Sequence, residues 1–518
     1  MHHRLSIGHI SSHRTSLDPV GRANEMADPA ARCSHTDRRF PSLSPTPPLR
    51  CRRGQNDRVT RARIVRSLAE AVVTMLAALA TLFCASAIDP QPGSAVLAVV
   101  LCMSLSRTHL DRDLRGRLES FFVLPPVGLA AFGVSFLLAH TRWLGAAAFI
   151  IGMFVSIWVR RFGATASRVG SLIGLPFVAI LVTPRVPTPS PTAVPELLIP
   201  LIIAVLALVW VTVFHQIGRW TRILPPSPQA KPEVPAASAP EQSSLRPVAS
   251  TRMALQMAAA LIASFVLGYL LFPERWAWIV LTAFIVGTGN RGRLDVAYKS
   301  VLRIGGAAAG TTIALLFAVH LGKHDAATVA LILVAVFFGI WFRPLSYAWW
   351  ALFVTLALAL LQGYAGTSAT LILLPRLEEI VIGAALAVAS AWLVFPVRSR
   401  AVLRRRLADA LAALSRALEL APTSRTAAEF VDAVALVEQV APAFRALRRV
   451  SRTKVRPADW ADALADATTP ALALIDRGDA RDATRRAVGD ARRSLREPSD
   501  LTKSLRVMTD QLREDAQS

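Results

Sequence analysis

The sequence predicts an all-α membrane protein, built as two parallel repeats of six transmembrane helices (12 in all) plus a C-terminal cytoplasmic helical domain. Three observations predict it. Composition is the first: of 518 residues, 53% are hydrophobic and only 18% charged, with mean hydropathy +0.43, where a soluble domain carries about 25% charge. The second is segregation. Charges gather in the N-terminal tail, the short loops and the C-terminal segment, leaving apolar stretches of about 17–22 residues, long enough to span a bilayer. The third is duplication. Apolar segments form two blocks of six, roughly 64–217 and 252–396, whose landmarks recur at a near-constant offset. Phe154–Arg160 returns as Phe337–Arg343, so Trp158 maps to Trp341 and Arg160 to Arg343, each 183 residues on; Glu196 maps to Glu378 and Trp210 to Trp392, each 182 on. A duplicated helix set is the usual plan of a transporter or channel, with the pathway between the halves.

Taken in order, residues 1–60 are rich in Arg, His, Ser and Pro without apolar period, and read as a disordered basic cytoplasmic tail. No apolar stretch precedes Ile64, so no signal peptide is expected. The first repeat, 61–222, has spans at about 64–87, 92–106, 118–139, 143–159, 168–183 and 196–217. Residues 223–250, rich in Pro, Ala and Ser, form an extended cytoplasmic linker. The second repeat, 251–397, has spans at about 252–272, 275–289, 300–320, 325–342, 346–363 and 376–396. The second span of each repeat is short, which marks either an ordinary tilted helix with a misread boundary or, since short helices recur at equivalent positions, a binding site. In 398–518 apolar residues at helical spacing (Leu407, Leu411, Leu414, Leu418) among Arg and Asp predict soluble amphipathic helices.

Loop charge sets the orientation. Arg107–Arg117, Arg160–Arg168, Arg219–Arg222, Asn290–Lys299, Arg343 and Arg398–Arg406 share one side, while the opposite loops, such as Ile88–Gly93 and Pro184–Glu196, are nearly neutral. The basic side is cytoplasmic, so both termini lie inside, and six helices per repeat make the repeats parallel. The net charge of +23 is spread over these loops, which argues against nucleic acid as a partner. Cys33, Cys51, Cys84 and Cys102 lack metal-type spacing.

The second repeat carries Trp276–Val286 (WAWIVLTAFIV), Arg303–Thr311 (RIGGAAAGT) and Arg376–Pro396 (RLEEIVIGAALAVASAWLVFP). With these it resembles the fusaric acid resistance family of bacterial inner-membrane proteins, which includes aromatic-acid efflux pumps. The likeness covers about 145 residues; the first repeat matches loosely, with Pro125–Pro126 in place of Gly305–Gly306. The larger cytoplasmic domain that some members carry between the halves is missing. The resemblance implies a multi-pass protein of the bacterial cytoplasmic membrane that exports aromatic carboxylates, with a periplasmic adaptor as an expected partner. Plant aluminium-activated malate transporters look distantly similar in their membrane part, and imply an anion pathway and a homodimer.

Several residues could carry that function. Arg303 heads a glycine-rich helix and could clamp a carboxylate bidentately, or else snorkel to lipid phosphates. Thr311 closes the same motif. Gln256 and Glu70 are equivalent positions in the first span of each repeat; Glu70 is a candidate proton-coupling carboxylate, otherwise an interfacial residue. Trp276 and Trp278 could line a path for aromatic substrates or form an interfacial belt. Arg376, Glu378 and Glu379, at the expected outer start of the last helix, with Glu196 in the first repeat, are coupling or gating candidates or rim ion pairs. Gly287–Gly292 fits G-x-G-x-x-G but follows a membrane helix instead of a strand, so it is not read as a nucleotide site. His215 and His320 have no ligand partner at metal spacing. Neither catalytic residues nor a cofactor is expected. The reading is therefore efflux of small organic anions, with the bilayer as partner. The alternative is a non-transporting scaffold that recruits proteins or anionic lipid through its cytoplasmic helices.

Overall fold

The computed structural model describes residues 49–106, 114–182, 198–224, 249–318, 325–364, 369–418, 424–451, 456–497 and 499–518, all of them helical, turn or loop, with no strand. The chain divides into two units, Met1–Arg58 and Val59–Ser518. Of the first, only the beginning of one helix is described. Glu196, His320, the tail to residue 48 and linker residues 225–248 lie outside the described residues.

The apolar part forms α1 (Leu49–Ile88), α2 (Pro92–Leu105), α3 (Leu114–His140), α4 (Arg142–Trp158), α5 (Ala164–Val182) and α6 (Ile199–Trp220). It continues with α7 (Ala249–Leu271), α8 (Trp276–Gly287), α9 (Arg293–Ala318), α10 (Ala326–Phe342), α11 (Tyr347–Tyr364) and α12 (Ala369–Leu393). Local chemistry explains several ends. Proline opens α2, where its missing N–H costs nothing. The Asp325 carboxylate caps α10 by accepting the Ala327 N–H at 3.0 Å. Among the described residues, six helical segments are long and apolar enough to cross a membrane: Ile64–Ile88, Arg142–Phe162, Ile199–Trp220, Ala249–Leu271, Arg293–Phe317 and Tyr347–Tyr364. Gly93–Leu105, Pro126–His140, Trp276–Gly287 and Ala326–Phe342 are shorter apolar helices.

Three starts differ from the sequence expectation. Helix α1 begins at Leu49, α9 at Arg293 and α12 at Ala369, each seven or more residues before the predicted apolar start. Helix α12 runs back through Pro375, which reads as a break, into the apolar Ala369–Leu374; α1 and α9 share another cause. Hydropathy marks where a helix meets apolar surroundings, but a helix continues through polar residues when they are solvated or buried against protein.

Lipid offers no hydrophobic drive for helix association, so close backbone approach must supply it. Glycine provides this on α9. A Cβ at Gly306 would lie 2.6 Å from the Ala348 carbonyl oxygen, and one at Gly310 2.4 Å from that of Leu352. These two glycines seat α9 on α11. The packing scheme recurs along the chain. Helix α2 packs on α6, α3 on α5 and α6, and α4 on α5; correspondingly α8 packs on α12, α9 on α11 and α12, and α10 on α11. Contacts between the sets recur as well. Helix α4 meets α7, where the Tyr269 hydroxyl donates to the Arg142 carbonyl at 3.0 Å. Helix α10 meets α1, where Trp341 Nε1 donates to the Ile64 carbonyl at 3.3 Å.

Residues after the last apolar helix form α13 (Ser399–Ala417), α14 (Ser424–Glu438), α15 (Ala441–Val450), α16 (Pro457–Arg477), α17 (Asp482–Ser494) and α18 (Leu501–Gln517). Their apolar faces enclose a core of their own around Trp460, Leu407, Leu411, Leu414, Phe430 and Leu505. Burying side chains of this size stabilises by about 1.5–3 kcal/mol each. The Trp460 indole N–H is satisfied by the Thr502 hydroxyl at 3.0 Å. Arg445 pairs both amino nitrogens with Glu438 and its Nε with Asp462; these hydrogen bonds, Glu438's foremost, hold its guanidinium pKa above the ordinary value. The layer is tied to the apolar helices at one place. The Leu294 N–H donates to Ser399 Oγ at 2.9 Å, the Arg293 N–H to the Val397 carbonyl at 3.2 Å, and Arg291 Nη1 to the Gln439 carbonyl at 3.2 Å.

Candidate functional site

One face of α9 carries Ser300, Arg303, Ala307, Thr311 and Ala314, all buried. Their spacing of three or four residues makes this a single stripe. One face of α12 carries Arg376, Glu379, Gly383, Ala387 and Ala391 in the same register. A Cβ at Gly383 would lie 2.5 Å from the Ile279 carbonyl, so this stripe is pressed onto α8. Helices α9 and α12 also pack on each other, and both touch α8 and α11. The four-helix interface thus collects polar groups inside an apolar bundle.

Arg303 is the least expected of them. It lies ten residues beyond Arg293, roughly 15 Å along α9 at 1.5 Å per residue. Its exposure is 0%, so its head reaches no solvent or lipid phosphate as a snorkelling arginine would. None of its three guanidinium nitrogens has a hydrogen-bond partner in the protein. The Tyr347 hydroxyl, itself buried, and Arg376 lie within electrostatic range. A buried donor left unmade costs about 1–3 kcal/mol, more for a charged group.

Arg376 is 1% exposed. The sequence places it at the outer start of the last helix; the structure places it eight residues into α12, directly after Pro375. Its Cζ stands 3.8 Å from the centroid of the Trp278 ring. Nη1 donates to Gln362 Oε1 at 3.3 Å, and Nε and Nη2 are buried without partners. Glu379, three residues on, is wholly buried, and Arg275 Nε lies 3.1 Å from its Oε1, though out of hydrogen-bond alignment. The hydroxyls of Thr282, Thr311 and Thr355 are also buried and unpartnered at this interface. Arg303, Arg376 and the Arg275–Glu379 pair carry net positive charge. Unpartnered hydroxyl and guanidinium donors here outnumber the unpartnered carboxylate oxygens of Glu379, the chemistry complementary to an anion.

The remaining candidates sit elsewhere. Gln256 is buried in α7, but its amide is committed: Nε2 donates to the Val394 and Phe395 carbonyls at 2.9 and 3.2 Å, and Oε1 accepts from Asn290 at 3.2 Å. Trp276 is 5% exposed and packs on Phe265 and Tyr269, its Cβ fitting against Gly268. It is a core residue of the α7–α8 turn, apart from Trp278. Glu70 is exposed and paired with Arg66 at 3.4 Å. Glu378 is exposed, one residue round the helix from buried Glu379. Gln362, Tyr347, Thr282, Thr355 and Arg275 were not anticipated. Only the helical phase relative to Gly383 could have singled out Glu379.

A cleft of about 360 Å³ opens among α15, α16 and α18, lined by Arg448, Asp459, Asp462, Asp466, Arg506 and Asp510 among others. Arg448 is already paired there with Asp459 and Asp462 at 2.8 and 2.7 Å, so its charges serve one another. Among the described residues, no group of three His, Cys, Asp or Glu side chains is placed to hold a metal ion.

The comparisons with known proteins fall on the same helices. No curated protein and no solved structure matches the chain. The profile of the family described as fusaric acid resistance protein-like matches residues 257–390, which contain Arg303, Arg376, Trp278, Thr311 and Glu379. The apolar helices and this match point to a multi-pass membrane protein, and its residues 257–390, about a quarter of the chain, are similar to the fusaric acid resistance protein-like family.

Proposed function

We propose that the protein exports small organic anions, aromatic carboxylates above all, across the bacterial cytoplasmic membrane. The observation that carries the reading is Arg303, an arginine wholly buried in an apolar helix with every guanidinium nitrogen unpartnered. An unpaired charge inside a membrane bundle is costly, and such residues mark substrate paths. A non-transporting scaffold offers no reason to keep one. The membrane potential favours the direction: with the inside negative, moving one negative charge outward gains about 2.3 kcal/mol per 100 mV. The arrangement is twelve membrane helices in two parallel repeats, with both termini and α13–α18 in the cytoplasm. The recurring helix pairings support the repeat, and the basic loops support the orientation. A homodimer and a periplasmic adaptor complete the proposed assembly, and no catalytic role is assigned.

The test is efflux of a labelled aromatic acid from loaded vesicles at matched protein levels. Arg303→Lys keeps the charge but loses the planar fork and should export partially. Arg303→Gln should fall by about tenfold or more, the loss of one hydrogen bond to a charged group. Export by the glutamine variant at the level of the unaltered protein would remove the anion site.

A further inference from the structure

The geometry points to a carboxylate subsite at Arg376, separate from Arg303, at which a small organic acid docks side-on against a guanidinium held in place by Trp278 and Gln362. The inference rests on the export reading and names where its substrate is recognised.

A guanidinium offers two edges suited to a carboxylate: Nη1 with Nη2, and Nε with Nη2. In each, two N–H bonds run parallel and match the two oxygens of one carboxylate. In Arg376 the nitrogen engaged by the protein is Nη1, bound to Gln362 Oε1 at 3.3 Å. The two left unpartnered are Nε and Nη2, the complete side-on edge.

The fork is also fixed in advance. Trp278 lies against the guanidinium, 3.8 Å from ring centroid to Cζ, and Gln362 holds the far corner. A long side chain ordered before binding has less freedom to lose when the ligand arrives. No protein carboxylate takes the edge. Glu379 is buried nearby, but its ion pair is with Arg275 at 3.1 Å, and Glu378 points to the exposed side of α12. One edge with two donors suits a planar monoanionic carboxylate. A phosphate, with three or four oxygens and higher charge, would need donors beyond it.

Binding of labelled benzoate to the full chain in lipid nanodiscs tests this without requiring transport. Arg376→Lys should weaken binding about tenfold or more, since the charge stays and the fork goes. Trp278→Leu and Gln362→Leu leave Arg376 in place and should weaken it about three- to tenfold. Trp278→Tyr, which restores an aromatic face, should recover most of that loss, which a merely structural role would not predict. Inorganic phosphate should not displace benzoate. If Arg376→Lys aggregates, the Trp278 and Gln362 variants carry the test. Benzoate held equally by all the variants, no benzoate bound by the unaltered chain, or displacement by phosphate at equal concentration overturns the subsite. The two readings separate cleanly. Benzoate binding that depends on Arg376, with efflux at background, removes export and keeps the subsite. Export unaffected by Arg376→Lys, with unchanged binding, does the reverse.

Discussion

At the scale of residues, burial sorts the polar side chains of the apolar helices into two kinds. Gln256 has every amide group engaged, two of its bonds reaching carbonyls at the end of α12. Arg303 has none. Opposite stability outcomes follow. Gln256→Leu strands those carbonyls and the Asn290 amide, and should destabilise by about 1–3 kcal/mol. Arg303→Met removes an unpaired buried charge and should stabilise by about 1–4 kcal/mol while abolishing export. Thermal unfolding in detergent, run beside the efflux assay, reads both; a lower midpoint for Arg303→Met would mean that the arginine holds the fold together. The sequence made Arg303 a candidate as the head of a glycine-rich motif and Gln256 as the repeat equivalent of Glu70, and neither ground can tell a satisfied amide from an unsatisfied guanidinium. The same limit separates Glu378 from Glu379. Repeat alignment selects Glu378 through Glu196, whereas the face of α12 that carries Gly383 and Ala387 selects Glu379. Partners distant in sequence, such as Gln362 for Arg376, leave no local trace.

At the scale of elements, the short turns and the apolar lengths were legible, since α1 ends and α2 begins around Ile88–Gly93 and α7 gives way to α8 around Phe272–Arg275, as expected. Helix starts were not: α1 and α9 run back through polar residues that hydropathy reads as an end, and α12 runs back through Pro375, which reads as a break. The adjacent glycines of α9 isolate packing from propensity. A Cβ at Gly305 meets nothing within 4 Å, whereas one at Gly306 meets the Ala348 carbonyl oxygen at 2.6 Å. Gly305→Ala should therefore be neutral or stabilise by up to about 1 kcal/mol through helix propensity. Gly306→Ala should push α9 off α11 and destabilise by about 1–3 kcal/mol. Equal unfolding midpoints for the two variants would show that α9 does not lie on α11 as described.

At the scale of the whole molecule, the claim to test is the orientation. In a background with the four native cysteines replaced, a cysteine at Thr188 should react with an impermeant reagent added outside intact cells, and one at Ser243 should not. Labelling of Ser243 would invert or break the twelve-helix layout. Both positions lie outside the described residues, so this expectation stands on loop charge alone. The recurring helix pairs are consistent with the repeat that the Trp158–Trp341 offset predicts. The charged interface was not foreshadowed by that alignment: Val123 stands opposite Arg303 where Pro125–Pro126 is set against Gly305–Gly306, and Val194 stands opposite Arg376 at the 182-residue offset.

The burial of Arg303 also has a consequence for how the chain is made. Arg303 leaves the ribosome 73 residues ahead of Arg376 (376 less 303), an interval of several seconds at about 5–20 residues per second. Throughout it, α11 and α12, which will wall the guanidinium off, are incomplete. A lone α9 at the bilayer centre would expose that charge to hydrocarbon. The nascent helix must therefore wait at the interface, or in the shelter of the insertion machinery, until its neighbours arrive. The residue proposed to meet the exported anion would thus also set the order in which its helices enter the membrane.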